Sequence, residues 1–334
     1  MTDRTEQHDD RTEAMQAWVA EVLSQPRQAV AIGQRIQTLW SGYGELRRVR
    51  CAASPVGAMV MKWVAADGDL HHPRGWQHAA GHARKLRSYG VEQAFYRAAS
   101  ARPFAAWRVP QHLGDAQASA GQFRLLLEDL DAAGYGARPG TGDRRAFDAC
   151  VRWLAAFHAA HLGASPTALW EVGCYWHFGT REAEWRAMPD SALKSRAAEI
   201  DQVLNGAQHQ TWVHGDAKLA NFCTTAAGGD AAAVDFQYVG GGVGVRDLMV
   251  LAASAWDGDA LVRDADRHLD TYFSALRHHL AADVDADAVE REWRSLWPFV
   301  WADYQRFLAG WMPGHARQTA YALAQTQAAL DALG

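Results

Sequence analysis

Apolar residues recur along this chain with two different periods, and the change from one to the other divides it. Within residues 34–64 the runs RIQTLW, SGYGE, LRRVRCAAS and VGAMVMKWV predict three short strands separated by glycine-containing turns. In the third, Val60, Lys62 and Val64 share one face, while Met59, Met61 and Trp63 share the other. A His/Pro/Gly loop, GDLHHPRGW, leads into residues 77–100, which predict a helix despite Gly81 and Gly90, closed by Pro103 and Pro110. The run FRLLLEDLDAAGYG (123–136) predicts a buried strand entering a turn. Over 144–162, Phe147, Val151, Leu154 and Phe157 recur at helical spacing. Residues 211–237 predict short strands around turns, and helices dominate from 245, with Pro298 and Pro313 as breaks. Strands early and helices late predict an α+β fold of two unequal lobes hinged near 127–134. Residues 15–23 have helical spacing, whereas 1–14 are charged and nearly free of apolar positions, which predicts a disordered or frayed end.

Composition narrows the function classes. The 334 residues are 49% hydrophobic and 21% charged, ordinary values for a globular protein. A net charge of −5 argues against a nucleic-acid partner, which calls for a basic face. The longest apolar runs, such as 248–256, are too short to cross a bilayer, and the polar start MTDRTEQHDDRTEAMQ lacks a secretory signal's apolar core. Cys51, Cys150, Cys174 and Cys223 lie far apart without a CxxC pair, so the expectation is free thiols in the cytoplasm. Most of the fifteen tryptophans are expected in the core.

The chemistry concentrates in WVHGDAKLANFC and the following AVDFQYVGGG. Asp216 and Asn221 are five residues apart, and Asp235 lies fourteen beyond Asn221, after the turn Gly228-Gly229-Asp230. Phosphoryl transfer needs charge neutralisation on phosphates and a carboxylate that orients the attacking hydroxyl. Mg²⁺ prefers one or two carboxylates together with phosphate and water oxygens. A loop that lends Asp216 to the nucleophile and Asn221 to the metal, with Asp235 at a strand end, meets both needs. Each piece alone is an ordinary turn residue; their order, spacing and apolar flanks together make the signal specific.

On these and other words the chain resembles the choline kinase and aminoglycoside phosphotransferase superfamily, nearest its ecdysteroid-kinase-like branch. The words are TLWSGYGE (38–45), VMKW (60–63), HPRGW (72–76), RKLRSYGVEQAFYR (84–97), LLLEDLDAAGY (125–135), HGDAKLANF (214–222) and VDFQYVGGGVGVRDL (234–248). The resemblance implies a bilobal protein-kinase-like fold: a small β-rich N-lobe (15–127) and a larger, mostly helical C-lobe (128–334). It implies an ATP- and Mg²⁺-dependent kinase of a small-molecule alcohol such as an aminoalcohol, aminosugar or sterol-like alcohol. It assigns Lys62 to the ATP phosphates, Glu92 to pairing with that lysine, and Ser41, Gly42, Tyr43 and Gly44 to a glycine loop over the phosphates. A plain hairpin turn fits that last segment equally well, since the full GxGxxG is absent. It further assigns the main chain of Glu128, Asp129 and Leu130 to adenine, Asp216 and Lys218 to catalysis, and Asn221 and Asp235 to the metal. His214 is expected to brace the loop, His158 to pack, and Arg246 and Asp247 to form a supporting pair. Two aromatic-rich stretches, 170–178 (WEVGCYWHF) and 297–311 (WPFVWADYQRFLAGW), are candidate walls of the substrate site, and in the second Trp297, Trp301 and Trp311 are candidate substrate contacts, set against a core role. A catalytically inactive nucleotide-binding module is the alternative. A protein kinase is disfavoured because no APE follows Asp235.

Overall fold

The structure, a computed structural model, describes residues 2–39, 42–66, 79–100 and 106–334. Ser41, the loop over 67–76 and Pro103 therefore lie outside the described residues. The chain divides into two units, Met1–Pro103 with Pro110–Gly134 and Phe104–Val109 with Tyr135–Gly334. The boundary falls at Gly134, at the far end of the hinge read near 127–134 from the strand pattern and beyond the lobe limit of 127 that the resemblance implies.

In the first unit, α1 (Thr2–Leu23) precedes β1 (Val30–Thr38), β2 (Gly44–Cys51) and β3 (Ala58–Ala65), followed by α2 (Ala79–Ser100), β4 (His112–Ser119) and β5 (Gln122–Glu128). The sheet is antiparallel throughout, in the order β1-β2-β3-β5-β4. Strand alternation sorts β3 as its sequence predicts. Met59, Met61 and Trp63 join Met15, Trp18 and Val19 of α1 in one apolar cluster, with Trp18 edge-on to Trp63 at 6.2 Å. Val64 joins Leu39, Tyr43, Tyr89 and Phe123 in a second cluster.

Two expectations are corrected here. Residues 2–14 belong to α1 and are helical, not disordered. Met15, Trp18 and Val19 anchor the helix on the sheet, and extending an anchored helix costs far less than nucleating one. Arg11 adds an ion pair, its Nε 3.5 Å from Glu45 Oε1. The strand β4 has no counterpart in the sequence reading. It is an edge strand of mostly half-buried residues, so it shows no clean alternation.

The second unit is mostly helical. Its elements are α3 (Arg144–Ala160), α4 (Glu182–Ala187), α5 (Ala192–Ser195), α6 (Ala197–Asn205), β6 (Thr211–Val213), β7 (Phe222–Thr224), β8 (Ala231–Ala233), β9 (Gly240–Gly242), α7 (Val245–Ala255), α8 (Gly258–His279), α9 (Ala286–Ser295), α10 (Trp297–Trp311) and α11 (Ala320–Leu333). Asp143, Asp257, Asp285 and Thr319 cap α3, α8, α9 and α11, each side chain accepting from a backbone N–H in the first turn. Pro298 stands in the first turn of α10, where its missing N–H costs nothing, so it starts a helix instead of breaking one. Four short strands form two antiparallel pairs, β6 with β9 and β7 with β8. Those pairs hold the loops that carry the chemistry.

Candidate active site

The loop between β6 and β7 is built around a glycine that no other residue can replace. Gly215 has φ +79°, and a Cβ there would sit 2.1 Å from the Tyr238 carbonyl oxygen. Asp216 follows, largely buried, with Oδ2 accepting from Lys218 Nζ at 2.7 Å and from Asn221 Nδ2 at 3.1 Å. Asn221 Nδ2 also donates to the Asp216 carbonyl at 2.8 Å. Burial pushes the Asp216 carboxyl up from its ordinary range; Lys218 opposes that shift and Asp235 adds to it. The Lys218 ammonium is held above its ordinary range, its burial outweighed by Asp216 and Asp235.

The β7–β8 hairpin returns the chain to this loop. Val234 N donates to the Asn221 carbonyl at 2.9 Å, which sets Asp235 beside the residue paired with Asp216. Asp235 has φ +68°, a left-handed conformation that Asp tolerates better than most residues, and its Oδ1 accepts from the Gln237 amide. Asp216, Asn221 and Asp235 therefore converge within one unit.

His214 and Asp247 hold the loop in place. His214 Nδ1 accepts from Asp216 N at 3.3 Å, so Nε2 carries the proton and donates to the Val234 carbonyl at 2.9 Å. Asp247, fully buried at the start of α7, accepts from His214 N through Oδ2 and from Gly215 N through Oδ1 at 3.0 Å. Its Oδ2 also meets His158 Nε2 at 3.1 Å, and His158 Nδ1 meets the Tyr272 hydroxyl at 2.7 Å. His158 is thus packed, as expected, but it also relays order from α8 to the loop. The expected Arg246–Asp247 pair does not form. Asp247 spends both oxygens on the loop and His158, while Arg246 Nε and Nη1 are buried without a hydrogen-bond partner among the described residues.

In the first unit, Lys62 Nζ stands 2.7 Å from Glu92 Oε2, both side chains being buried. Leaving one such charge without its partner costs about 3–5 kcal/mol, so each holds the other in place. Gly42 (φ +74°), Tyr43 and Gly44 close the β1–β2 hairpin, where Leu39 N donates to the Gly44 carbonyl at 2.8 Å. Tyr43 is buried, its hydroxyl 2.8 Å from His82 Nδ1, so it anchors this hairpin tip. Of the segment expected at adenine, Glu128 N and Asp129 N donate to the Gln111 and Ala58 carbonyls. The Asp129 carboxylate is engaged by Arg48. Leu130 N meets no acceptor among the described residues.

The family model of the phosphotransferase enzyme family, APH, matches residues 77–282, well over half of the 334. The chain belongs to that family. A choline kinase from Cryptosporidium parvum Iowa II shares this phosphotransferase's fold: the TM-score is 0.54 at 11% identity, with 92% of this chain and 89% of that one covered. A microcompartment-associated aminopropanol kinase aligns at TM-score 0.49 and 12% identity over 90% of each chain. An aminoglycoside phosphotransferase in complex with ADP and hygromycin B aligns at 0.48 and 11%, over 95% and 97%. No curated protein sequence matches the chain.

Several residues of this phosphotransferase escaped the sequence reading. Tyr175, within the aromatic stretch 170–178, is tied to the loop by its N–H donating to the Gly215 carbonyl at 3.2 Å. Its hydroxyl donates to that of Tyr304 at 3.3 Å, which accepts from Arg317 Nη1 at 2.9 Å. Arg317 lies in a loop without periodicity, so nothing in the sequence marks it. Trp297 and Trp301 are buried, Trp297 donating to the Tyr321 hydroxyl at 2.9 Å and Trp301 packing edge-on to Tyr321. Trp311 is half-buried and stacks on Phe307 at 5.3 Å.

Proposed function

We propose that this phosphotransferase moves the γ-phosphoryl group of Mg·ATP to a hydroxyl of a small molecule. The observation that carries the reading is the convergence of Asp216, Asn221 and Asp235 on one loop-and-hairpin frame, with Lys218 bonded to Asp216.

Among the described residues no three of His, Cys, Asp and Glu cluster as a metal cage. Mg²⁺ needs none, because it keeps water and phosphate oxygens as ligands. The donor set suits it: the Asp235 carboxylate, and Asn221 Oδ1, which the two bonds from Nδ2 leave without a donor among the described residues. When bound, the ion supplies charge neutralisation on the phosphates. Asp216 orients the acceptor hydroxyl and takes its proton as the oxygen bonds to the γ-phosphorus and the bond to the β-phosphate oxygen breaks, releasing ADP. Lys218 Nζ stabilises charge on the transferring group. Lys62, steadied by Glu92, contacts the ATP phosphates; the glycine-containing segment 41–44 covers them, and the main chain of 128–130, with Leu130 N, receives adenine.

Four free, buried cysteines support a reducing compartment such as the cytoplasm. No described helix is long and apolar enough to cross a membrane.

The test is ATP consumption across hydroxylated small molecules, including aminoalcohols, aminosugars and sterol-like alcohols. Asp216→Ala is expected to lower transfer at least about 10³-fold, as loss of the base and orienting group does, while Mg·ATP still raises the melting temperature. Equal turnover by wild type and Asp216→Ala would sink the reading. Nucleotide binding without turnover on any acceptor would instead favour the inactive module.

A further inference from the structure

A cavity of about 420 Å³ opens beside the catalytic loop, and its described lining residues all belong to the helical unit. Arg138, Lys218 and Arg317 bring three cations to its lining, Thr141 and Ser254 bring hydroxyls, and among the described residues no carboxylate lines it. This concentration of positive charge runs against a net charge of −5 for the whole chain.

Arg317 is the most informative of the three. It is half-buried, and among the described residues no carboxylate comes within ion-pairing distance of its guanidinium. Its Nη1 is committed to the Tyr304 hydroxyl, and the Tyr304–Tyr175 contact ties that anchor to Gly215, next to Asp216. Arg317 is also close enough to Lys218 for the two charges to repel. Asp216 and Asp235 favour the Lys218 ammonium, and the two tyrosines with Asp216 favour the Arg317 guanidinium, yet among the described residues no carboxylate bonds to Arg317, which leaves its remaining donors for an anion. Arg138 Nη1 is oriented by the Tyr135 and Ala137 carbonyls at 3.2 and 3.3 Å. An acceptor with an ammonium group would meet three like charges here. An acceptor with an oxyanion would meet the donors of the Arg317 guanidinium that the Tyr304 hydroxyl leaves over, and two further cations.

We propose that the acceptor carries, besides the hydroxyl that is phosphorylated, an oxyanion bound in this cavity, and that Arg317 is the specificity-determining residue. Carboxylates and phosphate monoesters share that chemistry. The inference rests on the kinase reading and narrows its substrate class to hydroxy acids or phosphorylated alcohols.

The test uses matched sets of alcohols that differ only in charge: glycerate, glycerol monophosphate, glycerol and serinol, and longer hydroxy acids with their neutral and amino counterparts. ADP formation is followed with Asp216→Ala as blank. Calorimetric binding of each acid is measured without nucleotide, which reads the cavity apart from turnover. Turnover of carboxylates or of phosphates over amines is expected, and the two arms tell those sources apart. Arg317→Gln is expected to raise the KM of the preferred acid about 10- to 100-fold, the scale of a lost charge-assisted hydrogen-bonded pair, with the ATP KM within about twofold. Arg317→Lys should recover part of that loss, and Arg317→Glu should shift preference towards the matching amine. Amines used as well as acids would overturn the inference while leaving the kinase reading intact. So would an Arg317→Gln effect on the ATP KM alone, which would assign the cavity to the nucleotide. If no alcohol exceeds the Asp216→Ala blank, the kinase reading itself fails and takes this inference with it.

Discussion

Asp247 shows how a side chain can govern a reaction without touching a reactant. Its two oxygens terminate the backbone N–H groups of His214 and Gly215 and one nitrogen of His158, all in the dry interior. An unmet buried donor costs about 1–3 kcal/mol, so Asp247→Ala, which strands two, is expected to lower stability by about 2–4 kcal/mol in urea unfolding. At temperatures where the variant stays folded, kcat should fall more than the KM for ATP, because Asp216 loses its registered position. Retention of full kcat would show that the loop holds its geometry by itself. The sequence reading marked Asp247 as supporting but paired it with Arg246, its neighbour in the chain. Adjacent residues on a helix point about 100° apart, and only the packed α3 and loop show which direction each one takes.

At the scale of elements, two devices are open to measurement. The first joins α2 to β4: Arg97 Nε lies 2.9 Å from Asp115 Oδ1, and His112 Nε2 stands 2.9 Å from the same oxygen. Burial pushes the Asp115 carboxyl up, but hydrogen bonds and charges from His112 and Arg97 outweigh it and hold the pKa at about 2, below the ordinary 3.8. A depressed carboxyl contributes stability that is present above the unfolded value and lost as pH falls through the folded one. With Arg97 half exposed, the term is about 1–2 kcal/mol. Stability is therefore expected to drop between about pH 4 and pH 2, and Asp115→Asn should flatten that part of the profile; an unchanged slope would remove the pair from the account. The second device is the contact of α10 with α4. A Cβ on Gly310 would lie 1.8 Å from the Glu184 carbonyl oxygen, so Gly310→Ala must push two backbones apart. A loss of about 2–3 kcal/mol in thermal or urea unfolding is expected, by the usual cost of overpacking. Helix and strand periods announce α3 and β3 because each has one strongly apolar face. They conceal β4, an edge strand with half-buried sides, and they conceal the close approach at Gly310, which depends on a partner helix distant in sequence.

For the whole molecule, the proposed function makes nucleotide and metal part of the stability of the fold. Ligand at about 100 times its Kd adds roughly 2.7 kcal/mol to a state that binds it. ATP with Mg²⁺ is expected to raise the melting temperature, and EDTA added with ATP should abolish both most of that shift and all turnover. A shift that survives chelation would remove Asn221 and Asp235 from the metal role. The sequence by itself determined the family, the α+β class and the order of the chemical words, because these depend on local period and on spacing along the chain. It also pointed to the Lys62–Glu92 pair, which forms at 2.7 Å. What only the tertiary structure decided is which polar groups face each other across large sequence separations: Asp247 on the catalytic loop, and Arg317 tied through two tyrosines to the residue beside Asp216. Such pairings follow from burial, where every donor must find an acceptor wherever the packed chain offers one, and a one-dimensional pattern carries no record of that partner.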